Sequence, residues 1–263
     1  MPQDEPYISV RKWIKWGYTR PNNPPQTLHR HPNLPPLSPS PPSPVLPLSR
    51  LQWAFAGTSS TTPATPTTPK HTTWTHTIDS KTAESVQDSG SMYPPTLNSV
   101  GETVVLETGS MLNEDSGSVE AYEECWVDVP PVAVGGEEKR RGWVLRSIPV
   151  DSVASTSSTS VTPEGKGMII RIGAIIQGVF RSASGEMGVR RWVWSSDSEL
   201  GRDAKAGKEY EEKEPPWKVV LSIGVLECPI DVKGFATMER TLEVGSRIEG
   251  ARVGWECVEV MEW

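Results

Sequence analysis

A block in the middle of the chain returns, shortened, near its C-terminus, and this limits the fold more than any other feature. Residues 107–129 read ETGSMLNEDSGSVEAYEECWVDV, and residues 243–260 read EVGSRIEGARVGWECVEV. Glu107-Thr108-Gly109-Ser110 answers Glu243-Val244-Gly245-Ser246, and Glu124-Cys125 answers Glu256-Cys257. Each copy reads as a strand, a Gly/Ser/Asp turn and a second strand ending in an aromatic residue and a cysteine. Repetition at half the chain length predicts two related β domains arising by duplication. The competing reading is a pair of unrelated hairpins with similar turn chemistry.

The 263 residues are enough for two domains, each able to bury a core. Eleven Trp stand against three Phe, and an indole wants both burial and a partner for its N–H, which suits half-buried β surfaces. The net charge of −7 is uneven. Residues 1–76 carry a net +5 and residues 77–263 a net −12. An acidic folded portion argues against binding a phosphate backbone, so nucleic acid is not expected as a partner. Cys125, Cys228 and Cys257 form no CxxC pair, which fits a reducing compartment without structural disulfides. The N-terminus MPQDEPYIS has no apolar core of a signal peptide. The longest apolar run, MIIRIGAIIQGVF, is interrupted by Arg171 and Gln177 and is too short to span a bilayer. A cytoplasmic protein without an integral membrane segment is expected.

Alternation places the strands. Tyr7–Trp16 reads as an amphipathic strand within an N-terminal segment, residues 1–19. Residues 20–50 hold eleven prolines, cannot sustain a sheet ladder, and read as disordered or polyproline-like. The PxxP spacing at Pro44 and Pro47 is better explained as a solvated linker than as a ligand for a recognition domain. Strands resume at residues 51–57, followed by a Thr/Pro-rich loop over 58–69 and strands at 71–78, 103–107, 119–129 and 143–148. These group residues 51–150 as a first barrel-like domain. A Ser/Thr-rich linker over 151–167 is the expected boundary, and residues 168–263 form the second. There Ile169–Phe180 reads as one long strand with a continuous apolar face, followed by strands at 189–194 and 217–226 around a charged loop, 197–216. With no long amphipathic helix, the pattern predicts an all-β protein.

Nothing in the chain identifies a catalyst. Asp88-Ser89-Gly90 and Asp115-Ser116-Gly117 are similar to aspartic-protease triplets, but they lie in the same half without the hydrophobic flanks that chemistry needs, and they read as Asx-type turns. His71 and His76, five apart on a strand, point to opposite faces and do not share a metal. Either one, or Cys228-Pro229, offers only a weak suggestion of haem ligation. Gly185-Glu186-Met187-Gly188 reads as a hairpin turn rather than a phosphate loop, because no helix follows it. Lys139-Arg140-Arg141 reads as a solvated basic run. No catalytic, cofactor-binding or metal-binding residues are assigned, and no cofactor is expected.

Several phrases are collinear with a known family: Trp53-Ala54-Phe55-Ala56-Gly57-Thr58, Thr73-Trp74, Asp88-Ser89-Gly90 with Met92-Tyr93-Pro94, Glu107-Thr108-Gly109-Ser110, Tyr122-Glu123-Glu124-Cys125-Trp126, and Ile175-Ile176-Gln177-Gly178-Val179-Phe180. Their order and spacing resemble the fungal Hri family, named for interaction with a casein kinase I. The resemblance covers residues 51–263 and the strand near Tyr7. It implies two calycin-like (lipocalin-like) antiparallel β-barrels, no established enzymatic activity, and cytoplasmic with nuclear residence. Ser91 and Ser118, each three residues after an acidic group, are weak support for a kinase partner. The alternative function is a carrier of a small hydrophobic ligand, a fatty acid or haem, in a barrel cavity. The chain departs from the family at residues 20–50, where strands are expected and prolines stand instead. That leaves the first barrel incomplete, through either a real insertion or a mis-spliced reading.

Overall fold

The structure is a computed structural model that describes residues 6–17, 45–134, 139–149, 165–194, 217–224, 242–249 and 253–263. It is nearly all strand: β1 (Ile8–Trp16), a 3-10 turn (Leu48–Arg50), β2 (Phe55–Thr62), β3 (Lys70–Asp79), β4 (Val86–Met92), β5 (Thr96–Leu97), β6 (Thr103–Asn113), β7 (Ser118–Val129), β8 (Arg141–Ile148), β9 (Gly165–Ile172), β10 (Ile175–Ser182), β11 (Met187–Trp194), β12 (Trp217–Gly224), β13 (Arg247–Ile248) and β14 (Gly254–Glu262). Among the described residues no helix is long and apolar enough to cross a membrane.

The strands form two antiparallel sheets. The first runs β1-β7-β6-β4-β3-β2, with β5 paired to β6, and the second runs β12-β11-β10-β9-β8-β14-β13. Neither path closes into a barrel among the described residues. The two sheets nevertheless share a circular order: in each, the last strand of the unit (β7 or β14) lies beside the first (β1 or β8). They differ in where the ring is open. In the second sheet β8 pairs directly with β9, whereas in the first β1 and β2 are opposite edges. The repeat follows this order. Cys125 and Cys257 occupy matching places on β7 and β14, each beside a register shift against the first strand of its sheet, and both are free and buried. The Glu-x-Gly-Ser arms do not match as well: Glu107–Ser110 lies inside β6, while Glu243–Ser246 is a turn before β13.

Several expectations change. Arg141–Ile148 hydrogen-bonds to β9 and β14, so it belongs to the second sheet, and the chain changes sheets between Val129 and Arg141 rather than within 151–167. Most of that linker, the loop 197–216 and Cys228 lie outside the described residues. Ile169–Phe180 is not one strand but the hairpin β9–β10, turning at Gly173 and Ala174. Gly173 has φ 55°, a left-handed conformation cheap only for glycine. Period-two counting runs through such a turn unbroken but assigns the wrong face beyond it. Ile169 and Arg171, read on the mixed face, are therefore fully buried together with Ile176 and Phe180. The expected strand 51–57 is displaced to Phe55–Thr62, taking in part of the expected loop. Of the proline-rich stretch, residues 45–50 are described and ordered: Leu46 bridges to Ile223 on β12, with Leu46 N–H donating to Ser222 O at 2.8 Å.

The main apolar core fills the buried face of the second sheet. Trp143, Trp192, Trp217, Trp255, Leu145, Ile169, Ile176 and Phe180 are almost completely buried there. A second cluster lies on the opposite face, where Met168, Val179, Met187, Val189 and Ile223 pack against Ile78 of β3 and against Leu46, Leu51, Ala54 and Ala56. Leu46, Leu51, Ala54 and Ala56 thus link the two sheets through this cluster. Arg181 of β10 completes the joint by donating from Nη1 to the Asp79 backbone oxygen at 2.9 Å. Removing one of the sealed rings leaves a void that neighbouring strands cannot fill. Trp192→Ala is expected to lose about 3–5 kcal/mol in a denaturant titration, whereas Val100→Ala, at a site 76% exposed, should stay within about 0.5 kcal/mol of the parent.

Candidate functional site

Three neighbouring strands of the first sheet each place a pair of residues, two apart, on one face: Asp88 and Gly90 on β4, Glu107 and Gly109 on β6, Tyr122 and Glu124 on β7. The ladder aligns them, with Gly90 opposite Gly109, Gly109 opposite Tyr122, and Glu107 opposite Glu124. The glycines are required. A Cβ on Gly90 would meet Glu107 Oε1 at 2.4 Å, and one on Gly109 would meet Tyr122 Oη at 2.5 Å. Each long polar side chain therefore lies flat across the glycine of the next strand instead of standing away from the sheet.

β1 completes the face through a bulge. The register between β1 and β7 shifts between Arg11 and Trp13, leaving Lys12 as the extra residue, so Arg11, Ile14 and Trp16 lie opposite Trp126, Glu124 and Tyr122. Simple alternation had put Arg11 and Ile14 on opposite faces; the bulge brings them together. Arg11 Nη1 meets Glu124 Oε1 at 2.6 Å, Tyr122 Oη donates to Glu107 Oε1 at 2.8 Å, and Trp16 packs edge-on against the Tyr122 ring.

The electrostatics follow from crowding acids where water is scarce. Glu107 and Glu124 are each 4% exposed. Burial, reinforced by the Glu124 and Asp88 charges, pushes the Glu107 carboxyl up to about 7 despite the Tyr122 hydrogen bond. Burial also raises Glu124, against the pull of Arg11, and raises Asp88. Tyr122 is raised above its ordinary value by burial and by Glu107 beside it. The arrangement can hold a proton at neutral pH. Among the described residues no group of His, Cys, Asp or Glu could hold a metal ion.

A second polar centre closes the far end of β3. His76 and Asp79, three apart, would face opposite ways on a regular strand, but the β2–β3 register shifts between Ala56 and Gly57, leaving Thr77 bulged. His76 Nδ1 then reaches Asp79 Oδ2 at 2.7 Å. Burial tends to raise the Asp79 carboxyl, but the Lys81 N–H, His76 and Trp53 bonds outweigh it and hold it below its ordinary value. His71 is exposed and meets Ser91 Oγ at 3.3 Å, so the two histidines lie apart as their spacing predicts.

The sequence had singled out Asp88-Ser89-Gly90, Glu107-Thr108-Gly109-Ser110 and Tyr122-Glu123-Glu124 as phrases without seeing that they meet. Asp88-Ser89-Gly90, expected as a turn, is inside β4, while Asp115-Ser116-Gly117 does form a turn, with Gly117 at φ 68°. The legible signal was the i, i+2 pairing of an acid or phenol with a glycine or second acid.

A carboxyl held neutral in the folded state stabilises the fold below its unfolded value and ceases to do so as pH rises through its folded one. Wild-type stability should therefore fall between about pH 4.5 and 7 by a contribution from Glu107 on the order of 3 kcal/mol. Urea midpoints across that range should show this part of the slope removed in Glu107→Gln.

The family model described as Protein HRI1 matches residues 7–259. No curated protein matches the chain. The crystal structure of the uncharacterized protein YLR301w from Saccharomyces cerevisiae is similar, with 18% identity over 80% of this chain and 79% of that one and a TM-score of 0.49. Since the family model spans nearly the whole chain, from β1 into β14, this protein belongs to the HRI1 family.

Proposed function

We propose that this chain is a non-enzymatic interaction protein, a partner or client of a casein kinase I, resident in the cytoplasm and also in the nucleus. The observation that carries this reading is the exposed hairpin of β6 and β7. β4 pairs with β6 only as far as Gly109, and β1 pairs with β7 only as far as Tyr122. Beyond them residues 110–121 continue as a two-stranded ribbon ending in the acidic turn Glu114-Asp115-Ser116-Gly117. Ser118 follows, exposed and three residues after Asp115. Leu112 and Val119 are opposite one another on the ribbon and stand 55% and 73% exposed, an apolar pair that a partner could cover. Asn113 Nδ2 and Ser116 Oγ both donate to Glu120, which stitches the turn.

Ser91, the other serine after an acid, sits half-buried within the β4 ladder and is poorly placed for a kinase. The alternative, a carrier of a fatty acid or haem, finds little support, because the interior of the second sheet is filled by its own indoles. Incubating the full chain with purified casein kinase I and ATP should phosphorylate Ser118. Ser118→Ala should remove most of the incorporation and Ser91→Ala almost none. A kinase that neither binds nor phosphorylates the chain would reject the reading.

A further inference from the structure

Three Thr-Pro pairs follow one another along the connection from β2 to β3: Thr62-Pro63, Thr65-Pro66 and Thr68-Pro69. β2 ends at Thr62, because Pro63 has no N–H with which to continue the ladder. Every residue from Thr58 to Thr68 is exposed. No Asp or Glu occurs between Phe55 and Ile78. The stretch therefore presents hydroxyls and prolines without carboxylates, the reverse of the acidic turn that precedes Ser118.

The three hydroxyls are not equivalent. Thr65 Oγ1 is the hub of a tight turn: it accepts from the Thr67 N–H at 3.3 Å and the Thr68 N–H at 3.1 Å, and it meets Thr68 Oγ1 at 2.7 Å. The Thr65 N–H donates in turn to the Thr68 backbone oxygen at 2.9 Å. Hydroxyls committed in this way are not offered to an incoming group. Thr62 Oγ1 makes no hydrogen bond among the described residues. Its backbone is already extended, at the end of β2. β2 is the outermost strand of its sheet, with its far edge unpaired among the described residues, so an enzyme can reach residues 59–63 from the side without opening the sheet.

We propose that Thr62 is a phosphorylation site for a proline-directed protein kinase, an enzyme class distinct from the acid-directed kinase of Ser118 and independent of that reading. Pro63 is the selecting residue. A kinase cleft with no acceptor opposite the position after the hydroxyl accepts proline at no cost, whereas any other residue would leave an N–H unpaired there. In the transfer the γ-phosphorus of ATP forms a bond to Thr62 Oγ1 as its bond to the β-phosphate oxygen breaks. ADP leaves, and the hydroxyl proton passes to the carboxylate base of the kinase. The ladder sets Thr62 opposite His71, and His71 opposite Ser91. Directly opposed side chains start about 5 Å apart, so the new phosphate stands beside the ring whose Nδ1 meets Ser91 Oγ at 3.3 Å. Its charge and acceptor oxygens compete with Ser91 for His71.

Incubating the full chain with a purified mitogen-activated protein kinase and ATP, followed by phosphopeptide mass spectrometry, tests this. Phosphate should appear on Thr62 first. Thr62→Ser should keep the labelling and Thr62→Ala should lose most of it. Pro63→Ala should lose as much although the hydroxyl remains, which separates direction by proline from mere exposure. The His71 ring signals in proton NMR should move as Thr62 is labelled and stay in place in the treated Thr62→Ala protein. Ser118→Ala should leave the labelling unchanged, and casein kinase I should leave Thr62 unlabelled, so failure at one site is read apart from failure at the other. Labelling of Thr65 or Thr68 ahead of Thr62, labelling that survives Pro63→Ala, or a folded chain that takes up no phosphate would overturn the assignment.

Discussion

Four indole rings, those of Trp143, Trp192, Trp217 and Trp255, are sealed inside the second sheet, and the rest of the molecule is arranged around that packing. Each removes a large apolar area from water. Arg171 is buried among them, its Nε donating to the Gly173 backbone oxygen at 2.9 Å and its guanidinium over the Trp217 ring. The β9–β10 turn that supplies this oxygen therefore also shapes the core. Among the described residues the first sheet has no apolar cluster of its own. Its buried face carries Glu107, Glu124, Thr72 and His76, groups that cost free energy to desolvate and return it only when hydrogen-bonded.

The joint between the sheets supplies what the first sheet lacks. Ile78 enters the apolar cluster on the outer face of the second sheet together with Leu46, Leu51, Ala54 and Ala56, and Arg181 caps the Asp79 backbone. Asp79 works in both directions, its backbone tied to the second sheet and its side chain tied to Trp53, Lys81 and His76. The polar face of the first sheet can then be devoted to holding charge and protons, because its stability is borrowed through β3. That division gives the two sheets different interiors, one packed with indoles and the other lined with acids.

Strand alternation made the fold class and most of the elements legible from residues alone. Where the reading failed, a single residue had reversed the alternation. Lys12 and Thr77 are bulged, so Arg11 joins Ile14, and His76 joins Asp79. Gly173 turns the chain in the middle of an apolar run. The membership of β8 was illegible for a different reason: pairing between distant strands leaves no local trace, and Trp143–Ile148 alternates equally well in either sheet. The acidic face was half legible. The paired residues on β4, β6 and β7 stood out as phrases, but their convergence depends on register, which no single strand encodes.

The dependence of the first sheet on the second is the central claim, and native-state hydrogen exchange measures it most directly. Amides of β9, β10 and β11 should exchange only through global unfolding, while those of β6 and β7 should open at distinctly lower free energy. Arg181→Ala should widen the gap by loosening the joint at Asp79. Equal protection in both sheets, or a first sheet more protected than the second, would contradict the account and show that the acidic face is stable by itself.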